Sequence, residues 1–112
     1  MWMALALIQA AATPLPAGVE EDLWCIAVIS TAAASAPADQ QPGLVGGMMY
    51  YMGRVDRVVP GIDYAVELRR LLDAKDADAT ISAAAKRCGT KLQDVGGSMQ
   101  RWGKALQQKD GK

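Results

Sequence analysis

The apolar positions of this chain recur with a helical period in four places. The strongest pattern lies near the end. Ile81, Ala85, Cys88, Leu92, Val95, Met99, Trp102 and Leu106 follow one another at spacings of 4, 3, 4, 3, 4, 3 and 4. That spacing puts them on one stripe of an α-helix and predicts a long fourth helix with a buried seam. Gly89, Gly96 and Gly103 each follow a seam residue, seven apart. They form a second stripe without side chains, against which a neighbouring helix can lie close. Gly96-Gly97 is also a candidate kink.

Three earlier segments read as helices. The first covers residues 22–35, with Asp22 as N-cap and Glu20 and Glu21 at the positive end of the dipole. Leu23, Trp24, Ile26, Ala27, Val28 and Ile29 make it apolar nearly all round, so it belongs in a core. Cys25, Ile29 and Ala32 share one of its stripes. Residues 36–42 form a loop, stopped by Pro37 and Pro42. The second helix covers 42–59. Its inner stripe is Val45, Met48, Met52, Val55 and Val59, widened by Leu44, Tyr51 and Val58, with Tyr50, Arg54 and Arg57 outside. Gly43, Gly46, Gly47 and Gly53 weaken it by up to about 1 kcal/mol each relative to alanine, and glycines within a helix point to a close approach by another backbone. Pro60-Gly61 ends it. The third covers 63–74, capped by Asp63. Tyr64, Ala65, Leu68, Leu71 and Leu72 face inward, and Asp63, Glu67, Arg70 and Asp73 face outward. A polar turn at 75–78 follows, and Asp78 or Thr80 caps the fourth helix. No segment reads as a strand.

The two cysteines join these elements. Cys25 and Cys88 both fall on inward stripes, and their wide separation excludes a C-x-x-C redox pair. In an oxidising compartment they form one structural disulfide. Closing a loop of about 60 residues stabilises the fold by roughly 4 kcal/mol. The expected architecture is a small all-α four-helix bundle, with the disulfide between the first and last helices and the second and third helices packed on that pair. A coiled-coil homodimer through the fourth segment is the alternative; it calls for longer heptads and charged flanks.

The start of the chain bears on the compartment. Residues 1–17 hold no charged side chain, and Trp2 to Ile8 is apolar. Ala10-Ala11-Ala12 and Leu15-Pro16-Ala17 offer small residues for cleavage. This is the layout of a secretory signal peptide over 1–17, cleaved near 12 or 17, with residues 18–112 as one helical domain in the periplasm. No Lys or Arg precedes the apolar run. Pro14 and Pro16 interrupt it short of the roughly 20 residues that span a bilayer.

Charge and composition narrow the function. The 112 residues carry 12 basic and 12 acidic side chains, which argues against a nucleic-acid binder. The balance is uneven along the chain. Residues 18–42 hold four acidic side chains and no basic one, whereas 86–112 hold seven basic against two acidic. Lys86, Arg87, Lys91, Arg101 and Lys104 form a candidate basic face for an anionic partner, a membrane surface being the less favoured form. There is no His, which removes His-based triads, bases and metal ligands. The serines lack a basic partner, the carboxylates cluster in a hydrated turn, and Gly43 to Gly47 lacks the ending of a phosphate loop. No catalytic residue, metal site or cofactor is expected. Met48-Met49-Tyr50-Tyr51-Met52 is the candidate partner surface, since methionine adapts to irregular contacts and tyrosine suits interfaces.

Trp24-Cys25 near the start, Cys88 late in the chain and the helix-only plan resemble the small periplasmic acid-stress chaperones of HdeA type. That resemblance implies a compact helical protein with one disulfide that holds unfolding clients in acid. The cysteine spacing here is longer, and phenylalanine is absent. The segments Trp24-Cys25-Ile26-Ala27, Gly47 to Arg54 and Arg87-Cys88-Gly89 are also similar to uncharacterised exported proteins of Gram-negative bacteria, a likeness that implies no activity. The function expected is that of an exported, non-enzymatic protein that binds other proteins. The alternative is a structural or accessory subunit of a cell-envelope complex.

Overall fold

The computed structural model describes residues 14–108. Among them are four α-helices and no strand: α1 (Ala17–Ala33), α2 (Gln41–Val58), α3 (Tyr64–Leu72) and α4 (Ala77–Gln107). A short 3-10 turn, Ala38–Gln40, leads into α2. The fold is a small four-helix bundle with a disulfide between its first and last helices. The expected leader falls mostly on residues 1–13, outside the described residues.

The centre of the bundle is α1, and its composition is the reason. Leu23 and Cys25 are fully enclosed, and Val19, Ile26, Ala27 and Ile29 are nearly so. A helix apolar on every side must be surrounded, and α2, α3 and α4 all pack on it. Each of Leu23, Ile26 and Ile29 contributes about 1.5–3 kcal/mol through burial. α2 and α3 pack chiefly on α1, and each also touches α4, as the expected arrangement requires.

α1 starts five residues before the expected cap. The Pro16 carbonyl accepts the Val19 and Glu20 amides, and Leu15 packs at the edge of the core. Asp22 is therefore no N-cap. It is buried inside the helix, and its carboxylate accepts from Arg54 Nε at 3.0 Å.

The other ends follow local chemistry. Asp63 caps α3 as expected, its side chain accepting the Val66 amide at 3.2 Å. Gly61 turns the chain after α2 with φ +75°, a conformation that costs glycine nothing. α4 begins at Ala77, ahead of Asp78 and Thr80, so neither caps it. It runs unbroken through Gly96-Gly97.

The disulfide joins α1 to α4, with the Cys25 and Cys88 Cα atoms 5.5 Å apart and both residues buried. Tyr51 of α2 is buried at the same level, and its hydroxyl donates to the Cys88 carbonyl at 2.9 Å. One level further along α4, Leu92 meets Gly47 of α2 and lies beside Ile29 of α1. α4 therefore runs parallel to α1 and antiparallel to α2.

Candidate interaction surface

The seam of α4 changes character along its length. Ala84 and Cys88 are buried, whereas Ile81, Leu92 and Val95 are half-buried. Ala85, expected on the inner stripe, is exposed, and Ala84 takes the inward place. Beyond Leu92 the bundle runs out. Met99 is 60% exposed, Trp102 63% and Leu106 78%. The seam expected to be core over its whole length is core only as far as α1 and α2 reach. α4 has 31 residues, and at about 1.5 Å per residue it spans roughly 46 Å, against about 26 Å for the 17 residues of α1. Its last two to three turns, from Met99 onward, form an arm with an apolar stripe.

The flanks of that stripe are small. Gly96 and Gly103 lie on one side, and a Cβ on either would meet nothing within 4 Å. Ser98 and Ala105 occupy the other side by helical period. Arg101 and Lys104 fall on the far face, away from Met99 and Leu106. Trp102 shares the arm with charge without being covered by it.

The methionine-tyrosine segment is divided by the fold. Tyr51 is buried and bonded to Cys88, so it is not part of an exposed surface. Met48, Tyr50 and Met52 are half-buried, and Met49 is 68% exposed. Tyr50 meets Tyr51 edge to face with centroids 5.1 Å apart, and the Arg54 guanidinium lies 5.7 Å from the Tyr50 ring centre. Arg54, expected outside, thus links Tyr50 to Asp22. Val45 and Val58, expected inside, are each 55% exposed. What the segment does present is one wall of a groove of about 140 Å³, lined by Ile29, Ala33, Leu44, Val45, Met48 and Met49. Every lining side chain is apolar. Periodicity marks Ile29, Leu44, Val45 and Met48 as core; of these Ile29 is buried, Leu44 and Met48 are half-buried and Val45 is exposed.

The basic residues do not make one face. Lys86, Arg87, Lys91, Arg101 and Lys104 are all exposed. Arg87 turns inward, its Nη1 3.7 Å from the Cys25 sulfur and its Nη2 donating to the Glu21 carbonyl at 3.4 Å. Arg87 and Lys91 line a cleft of about 150 Å³ with Arg54, Tyr51, Glu21 and Asp22. There three cations face two carboxylates. Arg101 and Lys104 are separate, out on the arm.

Among the described residues no three His, Cys, Asp or Glu side chains group as metal ligands, and no helix is long and apolar enough to cross a membrane. No protein-family model, curated protein or solved structure matches this chain. The functional reading therefore rests on surface and packing alone. Two apolar surfaces, the α4 arm and the α1/α2 groove, are left uncovered at the same end of the bundle. The disulfide is the other functional pointer, since such a bond persists in an oxidising compartment.

Proposed function

We propose that this protein is exported and works by binding other proteins, without catalysis of its own. The observation that carries the reading is the unpartnered stripe of Met99, Trp102 and Leu106. Large apolar residues grouped on a rigid helix mark a contact surface rather than a solvated one. The disulfide supports export, and the leader-like start agrees with it. Of the two cleavage positions, the one after Ala12 keeps Leu15 and Pro16, which seat the start of α1. Cleavage after Ala17 removes both. The mass of secreted material distinguishes them.

Holding unfolding clients in acid, as in the chaperones this chain resembles, is the narrower form of this reading. Its support is the charge content of the chain: strong acid neutralises the carboxylates and leaves every cation charged, so self-repulsion loosens the bundle while the disulfide limits opening. The test is aggregation of an acid-unfolded client between about pH 2 and 4, with apolar dye binding measured alongside. The expected result is suppressed light scattering, reduced in Trp102→Glu. The absence of both dye binding and client protection, in acid and at neutral pH, would overturn the reading.

The accessory-subunit reading is favoured by a different residue. Met49 is exposed in the folded chain without any trigger. Under that reading Met49→Glu disrupts a co-purifying envelope complex.

A further inference from the structure

The two uncovered apolar surfaces have matching dimensions and complementary positions. Met99 to Leu106 spans about 10 Å of helix, and Leu44 to Met49 spans about 8 Å. The arm extends past the end of the bundle at which the groove opens. Val45 and Met49 lie on the opposite side of α2 from Gly47 and Tyr51, which face α4. The groove thus looks away from its own α4. The arm's stripe continues the line of Leu92, which already packs on the α1/α2 layer of its own chain.

We propose that a second copy of this chain is the occupant, in a reciprocal exchange. The arm of each copy lies along the α1/α2 groove of the other. A two-fold axis across the ends of the two bundles makes both contacts at once, as an isologous dimer requires. Each α1/α2 end is then enclosed between its own Leu92 and its partner's Met99, Trp102 and Leu106.

Charge and area agree with this arrangement. Between Leu23 and Gly53 the sequence has one charged side chain, Asp39, near the groove end. Arg101 and Lys104, on the far face of the arm, remain in water and meet no like charge. A pairing of α4 with α4 alone engages about two heptads and leaves both grooves open, short of what a stable coiled coil needs. The exchange buries two arms and two grooves, on the order of 1,000 Å² or more, the size of a specific interface.

The inference rests on the same surface as the proposed function, and its test is separate. Sedimentation equilibrium on the mature oxidised chain at micromolar concentration should give a dimer. Trp102→Glu on the arm and Met49→Glu in the groove should each give a monomer with unchanged circular dichroism. Mixing those two variants should restore a weak dimer, because one arm and one groove remain intact between them. A monomeric parent chain overturns the inference, as does a dimer insensitive to Met49→Glu. A monomer that sediments with anionic phospholipid vesicles also overturns it, by assigning the arm to a lipid surface. A monomer that still protects clients overturns the exchange alone, whereas a dimer that protects none overturns the proposed function alone.

Discussion

Leu92 rests on Gly47. A Cβ at position 47 would lie 2.9 Å from Leu92 Cδ1 and 3.3 Å from Ile29 Cδ1, so this glycine sets how closely α2 and α4 approach. Gly46, its neighbour in the same helix, has nothing within 4 Å of the equivalent point. Alanine is favoured over glycine in a helix by up to about 1 kcal/mol. Gly46→Ala should therefore stabilise the fold by about that amount. Gly47→Ala should gain clearly less, because Leu92 and Ile29 must shift. Gly47→Leu should be destabilising by about 1–3 kcal/mol through overpacking. Thermal melts of the three variants check the order.

The pair of Asp22 and Arg54 should matter more than the ion pairs on the outer surface. The Asp22 side chain is 12% exposed, whereas Arg70 bridges Glu20 and Glu67, whose side chains are 43% and 24% exposed. Removing Arg54 strands a largely enclosed carboxylate, while removing Arg70 leaves its partners hydrated. Arg54→Met should cost about 1–3 kcal/mol, and Arg70→Met less than about 1 kcal/mol. Urea titration at neutral pH measures both. Equal costs would remove the Asp22–Arg54 pair from its role as a join between α1 and α2.

These two contacts indicate what was legible in the sequence. The helices, the inward cysteines and the Asp63 cap follow from local rules of period and capping, and the structure has them. Asp22 was misplaced because an acidic residue after two others resembles a helix start. Only the position of Arg54 across the groove reveals it as a buried partner. Glycines in the second helix point to a close neighbour, but nothing in the sequence separates Gly47, which has one, from Gly43, Gly46 and Gly53, which have none. The largest difference is the end of α4. Periodicity identifies a stripe, but it cannot state how far the neighbouring helices extend to cover it. The lengths of α1 and α2 decide that, and their cover ends about a turn beyond Leu92, with Met99 onward exposed.

Tyr64 predicts a response to alkali. Its hydroxyl donates to the Asp56 carboxylate and lies 3.1 Å from the Met52 carbonyl. Burial, and then the bond to Asp56, push its pKa from 10.0 up to about 12. The folded chain thus keeps a proton that the unfolded chain releases near pH 10. This contribution to stability is complete below pH 10 and lost as pH rises toward about 12. Urea midpoints measured across that window should fall. In Tyr64→Phe the fall should be shallower, with the remainder assigned to buried Tyr51, whose pKa is also raised by burial.

The disulfide should be protected as well as stabilising. Cys25 is 0% and Cys88 2% exposed, so a reductant reaches the bond only when the bundle opens. Reduction under native conditions should be slow, and it should accelerate sharply in mild urea. The Cys25→Ser, Cys88→Ser chain lacks a link across 63 residues of sequence. It should be less stable by about 4 kcal/mol on the chain-entropy account. Thiol titration against time, with and without urea, gives the first result, and denaturant unfolding gives the second. Rapid reduction of the native protein would mean that α1 and α4 separate readily.

The α4 seam should show a gradient of cost along one helix. At low chain concentration, where association adds nothing, Trp102→Ala and Leu106→Ala remove side chains that are mostly in water already. Each should change stability by less than about 0.5 kcal/mol. Leu92→Ala removes the side chain that packs on Gly47 and Ile29, and should cost about 1–2 kcal/mol, since Leu92 is only half-buried. Leu23→Ala in the centre of α1 should cost about 2–5 kcal/mol. The four residues look alike as apolar positions in helical stripes, so a propensity argument assigns them similar weight. Burial by neighbouring helices separates them instead. If the Trp102 and Leu106 variants were as unstable in dilute solution as Leu92→Ala, the arm would be folded back onto its own chain. Its apolar stripe would then be unavailable to any partner.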